Sequence, residues 1–186
     1  MKKNNLKFLQ NYSRGELDVA LSTLVEEGKI RRVLRGIYDY PIFSSTLNRN
    51  VAPDIDQVAR ALARKFNWII CPLGDVALNY LGLSNQMVAK PIYLSDGPSK
   101  TYHIDEITIE FKHIAKKEVI SNDETTALVI QAIKAIGEKQ VNDDFIKRLS
   151  QKFTKAEWNV ILTNATRSAS WIYDIIKKAA NFEQGE

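Results

Sequence analysis

Lys29, Arg31, Arg32 and Arg35 crowd into one short stretch with no acid between them. Such a cluster suits a polyanion. Cationic side chains displace the counterions of nucleic-acid phosphates, and the resulting affinity falls steeply with salt. Just upstream, Arg14 can contact a guanine edge or a phosphate, and Ser22 and Thr23 can reach backbone oxygens. Val19 is an apolar residue suited to a thymine methyl. Asp18 and Glu26 oppose this chemistry, because they would sit near phosphates. A second chemistry is carried by Asp96, in a turn after one strand, and by Glu110 and Lys112 on a later strand. Two carboxylates could hold Mg²⁺ while the lysine positions water, as in metal-dependent nucleases. Glu-x-Lys is a common triplet, however, and Asp before Gly-Pro is a common turn residue. The non-catalytic reading of these three is therefore preferred.

Other reactive patterns are missing. His103 and His113 are the only histidines, and no cysteine near them completes a zinc site. No GxSxG elbow and no phosphate-binding loop occurs. Cys71 is the single cysteine, so it forms no internal disulfide, and its WIICP setting reads as a small buried hydrophobe. Trp68, Trp158 and Trp171 have apolar neighbours and read as core. No metal and no cofactor is expected.

The elements that must position the basic residues are legible. Ser13-Arg14-Gly15-Glu16 is a capping box. Leu17, Ala20, Leu21, Leu24 and Val25 follow on one helical face, and Gly28 ends the helix. Lys29 to Tyr40 turns β-like, with Arg35-Gly36 at a tight turn and an alternation that is not clean. A capped helix followed at once by a basic hairpin is the reading head of a winged helix-turn-helix. Room for only a short helix at Leu6 to Gln10 precedes it, so the domain's first helix is expected to be reduced, missing, or encoded upstream. A second copy or the second domain could then cover the exposed core. Residues 41–53 are polar, bounded by prolines, and expected to be an irregular linker.

The remainder reads as mixed α/β. Asp54 caps a helix with the stripe Ile55, Val58, Ala59, Leu62, Ala63 and Phe66. Strands are expected at Trp68 to Cys71, Lys90 to Ser95, Thr101 to Ile104 and Ile107 to His113, with a helix from Gly74 to Leu81 between the first two. Helices follow at Thr125 to Ile136, Asn142 to Phe153, after a second capping box at Thr154 to Glu157, and at Ser168 to Ala180. The tail after Asn181 is expected to fray. Arg60, Arg64, Lys65, Lys90 and Lys100 could form a second basic face, and Met87 lies in a polar loop of the kind that marks interaction surfaces.

Bulk composition agrees with a water-soluble chain. The 186 residues carry a net charge of +4, with 45% hydrophobic residues, and no apolar run reaches membrane-spanning length. The start MKKNNLKF lacks the apolar stretch of a secretory signal. A cytoplasmic location and no membrane partner are the default. Lys2, Lys3 and Lys7 add to the positive bias of the first 40 residues.

The segments VALSTLVEEGKIRRVLRGIYDYP (19–41), IDQVARALARKFNWIICPLGDVALNYLGLSNQM (55–87) and KPIYLSDGPSK (90–100) resemble the AbiEi-type antitoxins of type IV toxin–antitoxin systems. The resemblance covers about residues 8 to 115 and extends loosely to the closing helices. It implies an autorepressor that binds inverted repeats of operator DNA, and whose C-terminal domain counteracts a nucleotidyltransferase-type toxin. The expected architecture is α/β (α+β): a winged-helix domain over 1–45 and a mixed α/β domain with C-terminal helices over 46–186. The expected function is that of an antitoxin and not of an enzyme. A winged-helix regulator with another sensing domain is the alternative, and a nuclease using Asp96, Glu110 and Lys112 the third.

Overall fold

The computed structural model describes residues 12–115 and 123–182. The short helix expected at Leu6 to Gln10, the cations Lys2, Lys3 and Lys7, and the end of the tail lie outside the described residues. The chain divides into two compact units, Met1–Val58 and Ala59–Glu186.

In the first unit, α1 (Arg14–Glu26) starts where the capping box requires. The Glu16 backbone N–H donates to Ser13 Oγ at 3.3 Å, and the Ser13 N–H donates to Glu16 Oε2 at 2.7 Å. Hydrogen bonds from the Ser13 hydroxyl and backbone N–H to its carboxylate hold Glu16 below the ordinary carboxylate range. At the other end Gly28 is left-handed, with φ of 68°. Lys29 N–H donates to the Leu24 carbonyl at 2.9 Å and Gly28 N–H to Val25 at 3.0 Å. That pair of bonds is a Schellman cap, which only a residue tolerant of positive φ closes without strain.

The expected hairpin follows as β1 (Arg31–Leu34) and β2 (Ile37–Asp39). Arg31 faces Asp39 and Arg32 faces Tyr38, but Leu34 faces Ile37. One residue is therefore unpaired on β1, and this bulge is why the apolar alternation is broken in the sequence. Residues 41–53 are not the irregular linker expected. They contain a second small hairpin, β3 (Phe43–Ser44) and β4 (Arg49–Asn50), closed by Asn48 at φ of 49° and by a Leu47 N–H bond to Ser44 Oγ at 3.3 Å. Strands two residues long present no period for the sequence to show. Between residues 12 and 50 only Ile37 is buried, and α1 holds no buried residue.

The division between the units falls inside α2 (Ile55–Phe66), whose start is capped by Asp54 Oδ1 accepting from the N–H groups of Asp56 and Gln57. Beyond it a four-stranded mixed sheet has the order β5 (Ile70–Leu73), β6 (Ile92–Ser95), β8 (Ile107–His113), β7 (Lys100–Ile104). β6 and β8 run parallel, and the other pairs antiparallel. Side chains alternate between the two faces. Tyr93, Ile109 and Phe111 lie on one face, buried, and the stack of Phe66 on Trp68, with Trp68 edge-on to Phe111, ties the end of α2 to it. Gly97, after β6, has its N–H on Ser95 Oγ at 3.0 Å and its carbonyl 2.8 Å from His113 Nδ1. A Cβ there would come within 2.4 Å of the Trp68 ring.

On the opposite face Cys71 packs against Ala127 of α4 (Glu124–Ile136). Burial pushes the Cys71 thiol up to about 12. α3 (Asp75–Tyr80), ended by the left-handed Gly82, joins α4 in a helical core with α5 (Asp143–Ser150), α6 (Lys155–Asn164) and α7 (Ser170–Ala180). Leu78, Ile133, Leu149, Trp158, Ile161 and Ile176 lie at its centre. Trp158 Nε1 donates to the Ser150 carbonyl at 3.1 Å, at the point where α5 stops short of the expected Phe153. The molecule is α/β as expected, with its closing third helical.

Candidate nucleic-acid interface

The basic residues of the first unit divide by what holds them. Arg31 is committed to Asp39, its cross-strand neighbour: Nε to Oδ1 is 3.0 Å and Nη2 to Oδ2 is 2.5 Å, a bidentate pair across the hairpin. Both side chains are largely covered. Arg31 therefore braces the hairpin and offers little charge outward. Lys29 pairs with Glu27 at 2.8 Å in water, a contact worth about 0–1 kcal/mol that a phosphate could replace. Asp39 and Glu27 flank the acid-free stretch, and chain folding brings them onto it. Arg32 is exposed on β1 and has no ion pair among the described residues. Arg35 is exposed at the Arg35-Gly36 turn.

Arg14 occupies the first helical position of α1, exposed and without an ion pair among the described residues. Val19 is 67% exposed on the outer face. Ser22 and Thr23 are less available than their positions suggest. Ser22 Oγ donates to the Asp18 carbonyl at 2.9 Å and Thr23 Oγ1 to the Val19 carbonyl at 3.1 Å. A phosphate oxygen is an acceptor, so each hydroxyl would have to rotate away from its helix to meet one. Among the described residues of the first unit Arg14, Lys29, Arg32, Arg35 and Arg49 are thus exposed, Lys29 paired with Glu27, whereas Arg31 is taken up by Asp39.

The five cations expected on a second basic face are split. Glu110 and Phe111 are consecutive in β8 and so point to opposite faces of the sheet. Lys90 reaches Glu110 at 2.6 Å, whereas Lys100 lies over the rings of Tyr102, at 5.1 Å, and Phe66, at 5.6 Å, on the Phe111 side. Lys65 also lies over Phe66. Arg60 and Arg64 share a third location, one helical turn apart on α2, where Arg60 pairs with Glu124 at 2.9 Å. The exposed Phe66 between two ammonium groups was not singled out in the sequence, where it reads as the last member of the α2 stripe.

Register separates the residues of the nuclease pattern. Ile92 of β6 lies beside Glu110 and Ser95 beside His113. Asp96 is one residue further along, so about 13 Å of strand separates it from Glu110 at roughly 3.3 Å per residue. One metal ion cannot bridge that gap. Asp96 Oδ1 instead accepts the Ile69 N–H at 2.7 Å. Hydrogen bonding to Lys90, with the charges of Lys90 and Lys112, holds Glu110 below the ordinary carboxylate range. Among the described residues no cluster of three or more His, Cys, Asp or Glu side chains could hold a metal. His103 Nδ1 lies 3.2 Å from Thr108 Oγ1 of its cross-strand partner, in an exposed position.

The model of a family of unknown function, DUF6088, matches residues 4–161. The chain belongs to that family. The match spans both units and stops within α6, so the family is defined by the sheet and most of the helical core as well as by the basic hairpin. No curated protein and no solved structure matches the chain. Among the described residues no helix is long and apolar enough to cross a membrane.

Proposed function

We propose that this DUF6088 member is a cytoplasmic DNA-binding autorepressor of the antitoxin kind, with α1 as recognition helix and the β1–β2 hairpin as wing. The observation that carries this reading is α1 itself. It is capped at both ends and leaves Arg14, in its first turn, and Val19, on its outer face, exposed, with an arginine hairpin directly after it. A helix of this length fits a major groove, and Arg32 and Arg35 suit phosphates or the minor groove beside it. The resemblance of 19–41, 55–87 and 90–100 to AbiEi-type antitoxins supports the operator, with inverted repeats, as the DNA. It also supports a nucleotidyltransferase-like toxin as the partner of the second unit.

The test is mobility shift on a duplex containing the promoter of the chain's own operon. Binding should weaken at least a hundredfold between 50 and 200 mM salt if several phosphates are contacted. Replacing Arg14, Arg32 and Arg35 by alanine should abolish it. Salt-independent binding, or none, overturns the reading. For the toxin arm, a nucleotidyltransferase-like toxin encoded in the same operon should be neutralised on co-expression with the full chain and not with a chain truncated after Pro53. Protection by the truncated chain overturns that arm alone.

A further inference from the structure

The second unit has a cleft of about 430 Å³ lined by Arg60, Arg64 and Asn67 of the α2 side, by Ile69, Ile70 and Cys71, and by Glu124. Three consecutive residues near a strand start cannot all turn their side chains into one cavity, because side chains alternate between faces. What they share is the strand's edge. Among the described residues β5 is the last strand of the sheet on that side.

The hydrogen-bond phase shows what this edge presents. Asp96 N–H donates to the Ile69 carbonyl at 3.2 Å, and the register pairs Cys71 with Leu94 and Leu73 with Ile92. In an antiparallel ladder the bonded pairs alternate, so Ile69, Cys71 and Leu73 turn their backbone groups towards β6. Ile70 then turns its N–H and carbonyl outward. Pro72 falls on the same outward phase, where its missing N–H costs no ladder bond. α2 is tied to one face of the sheet through Phe66 and Trp68, and α4 packs on the other through Ala127. The Arg60–Glu124 pair joins these two helices beside the β5 edge. Arg64, one turn along from Arg60, is exposed in the cleft and has no ion pair among the described residues.

We infer that this cleft takes an extended, acid-bearing peptide segment of a partner protein, which adds to the β5 edge as a fifth strand. The residue opposite Ile70 exchanges backbone hydrogen bonds with it, and its side chain falls on the face Ile70 shares with Ser95, the α2 side. An aspartate or glutamate there meets Arg64. Pro72, two residues on, offers no donor and is fully buried, so a segment shifted by two finds no partner there, and Ile70 fixes the register. This inference is independent of the DNA reading, which concerns the first unit.

The probe is the pentapeptide acetyl-Thr-Val-Asp-Val-Thr-amide, titrated into the isotopically labelled full chain and followed by amide chemical shifts. The Ile70, Asn67 and Arg64 amides should shift together. Binding should weaken at least tenfold when lysine replaces the peptide's aspartate, or when Arg64→Glu is introduced. A peptide N-methylated at the aspartate and the following valine should also bind at least tenfold more weakly, and this arm leaves the protein untouched. Inorganic phosphate is the control. Shifts with phosphate but not with the peptide would make the cleft a simple anion site and overturn the inference. Equal binding of the N-methylated and parent peptides, or no shift at Ile70 with the peptide, also overturns it.

Discussion

Two neighbouring arginines of the hairpin carry opposite expectations. Arg31 is clamped to Asp39 across the hairpin, half-buried, and Arg32 projects into water. Arg31→Ala should cost about 1 kcal/mol of folding stability, the upper range for a partly exposed pair, read by urea unfolding. Arg32→Ala should leave the unfolding midpoint in place and lower the salt slope of operator binding by about one. The sequence shows both as equal members of a basic run. Only the cross-strand register distinguishes them, and register depends on the bulge between Arg32 and Leu34. Carboxylates give a second test. Glu157 Oε2 accepts from the Thr154 backbone N–H at 2.7 Å, and this bond, with that to the Thr154 hydroxyl, lowers its pKa. A depressed folded-state pKa stabilises the fold above the unfolded value and loses that contribution as pH falls through the folded one. Glu157→Gln should therefore flatten the fall of melting temperature on the acid side of the ordinary carboxylate range, and the wild type should keep the steeper slope. Equal slopes would remove the capping box as a source of acid sensitivity.

Among the elements, those with local signals were readable and those made by distant pairing were not. The capping boxes at Ser13 and Thr154 and the stop at Gly28 depend on residues within a few positions of one another, and all fall where the sequence puts them. The parallel pairing of β6 with β8 depends on residues far apart in the chain, with β7 placed outside β8. Without that order Asp96 and Glu110 look like partners, and Arg60, Lys90 and Lys100 look like one face. The sequence puts the strand at Trp68 to Cys71, ahead of Pro72; the strand formed is Ile70–Leu73, and the proline inside it marks an edge. α4 supplies an element-scale prediction. Asp123 Oδ2 caps its first turn by accepting from both the N–H and the hydroxyl of Thr126, which is fully buried. Asp123→Ala removes the cap and orphans a buried hydroxyl, so it should cost about 2–3 kcal/mol in chemical unfolding. A cost under 0.5 kcal/mol would mean that water replaces the carboxylate there.

For the whole molecule, burial is uneven. The second unit holds Val129, Ala132, Ile133, Leu149 and Ile176 at zero exposure, whereas Tyr40, Ile42, Phe43 and Leu47 of the first are each more than half exposed. Few buried apolar contacts mean a low local opening free energy. Hydrogen exchange should show the amides of α4 protected most strongly and those of α1 and β1–β2 exchanging by a separate, easier opening. Operator DNA should slow exchange in α1 and the hairpin far more than in α4. Uniform protection across both units would show that the chain opens as one cooperative block, and the contrast in burial would then have no energetic counterpart.

The seating of the Trp68 indole against the bare Cα of Gly97 binds the histories of two positions separated in the chain. Even a methyl group at 97 would collide with that ring, and both backbone polar groups of the glycine are already engaged. Descendants of a common ancestor should therefore keep glycine at 97 wherever they keep tryptophan at 68. Alanine or serine at 97 should occur only in lineages that have traded the indole for something smaller.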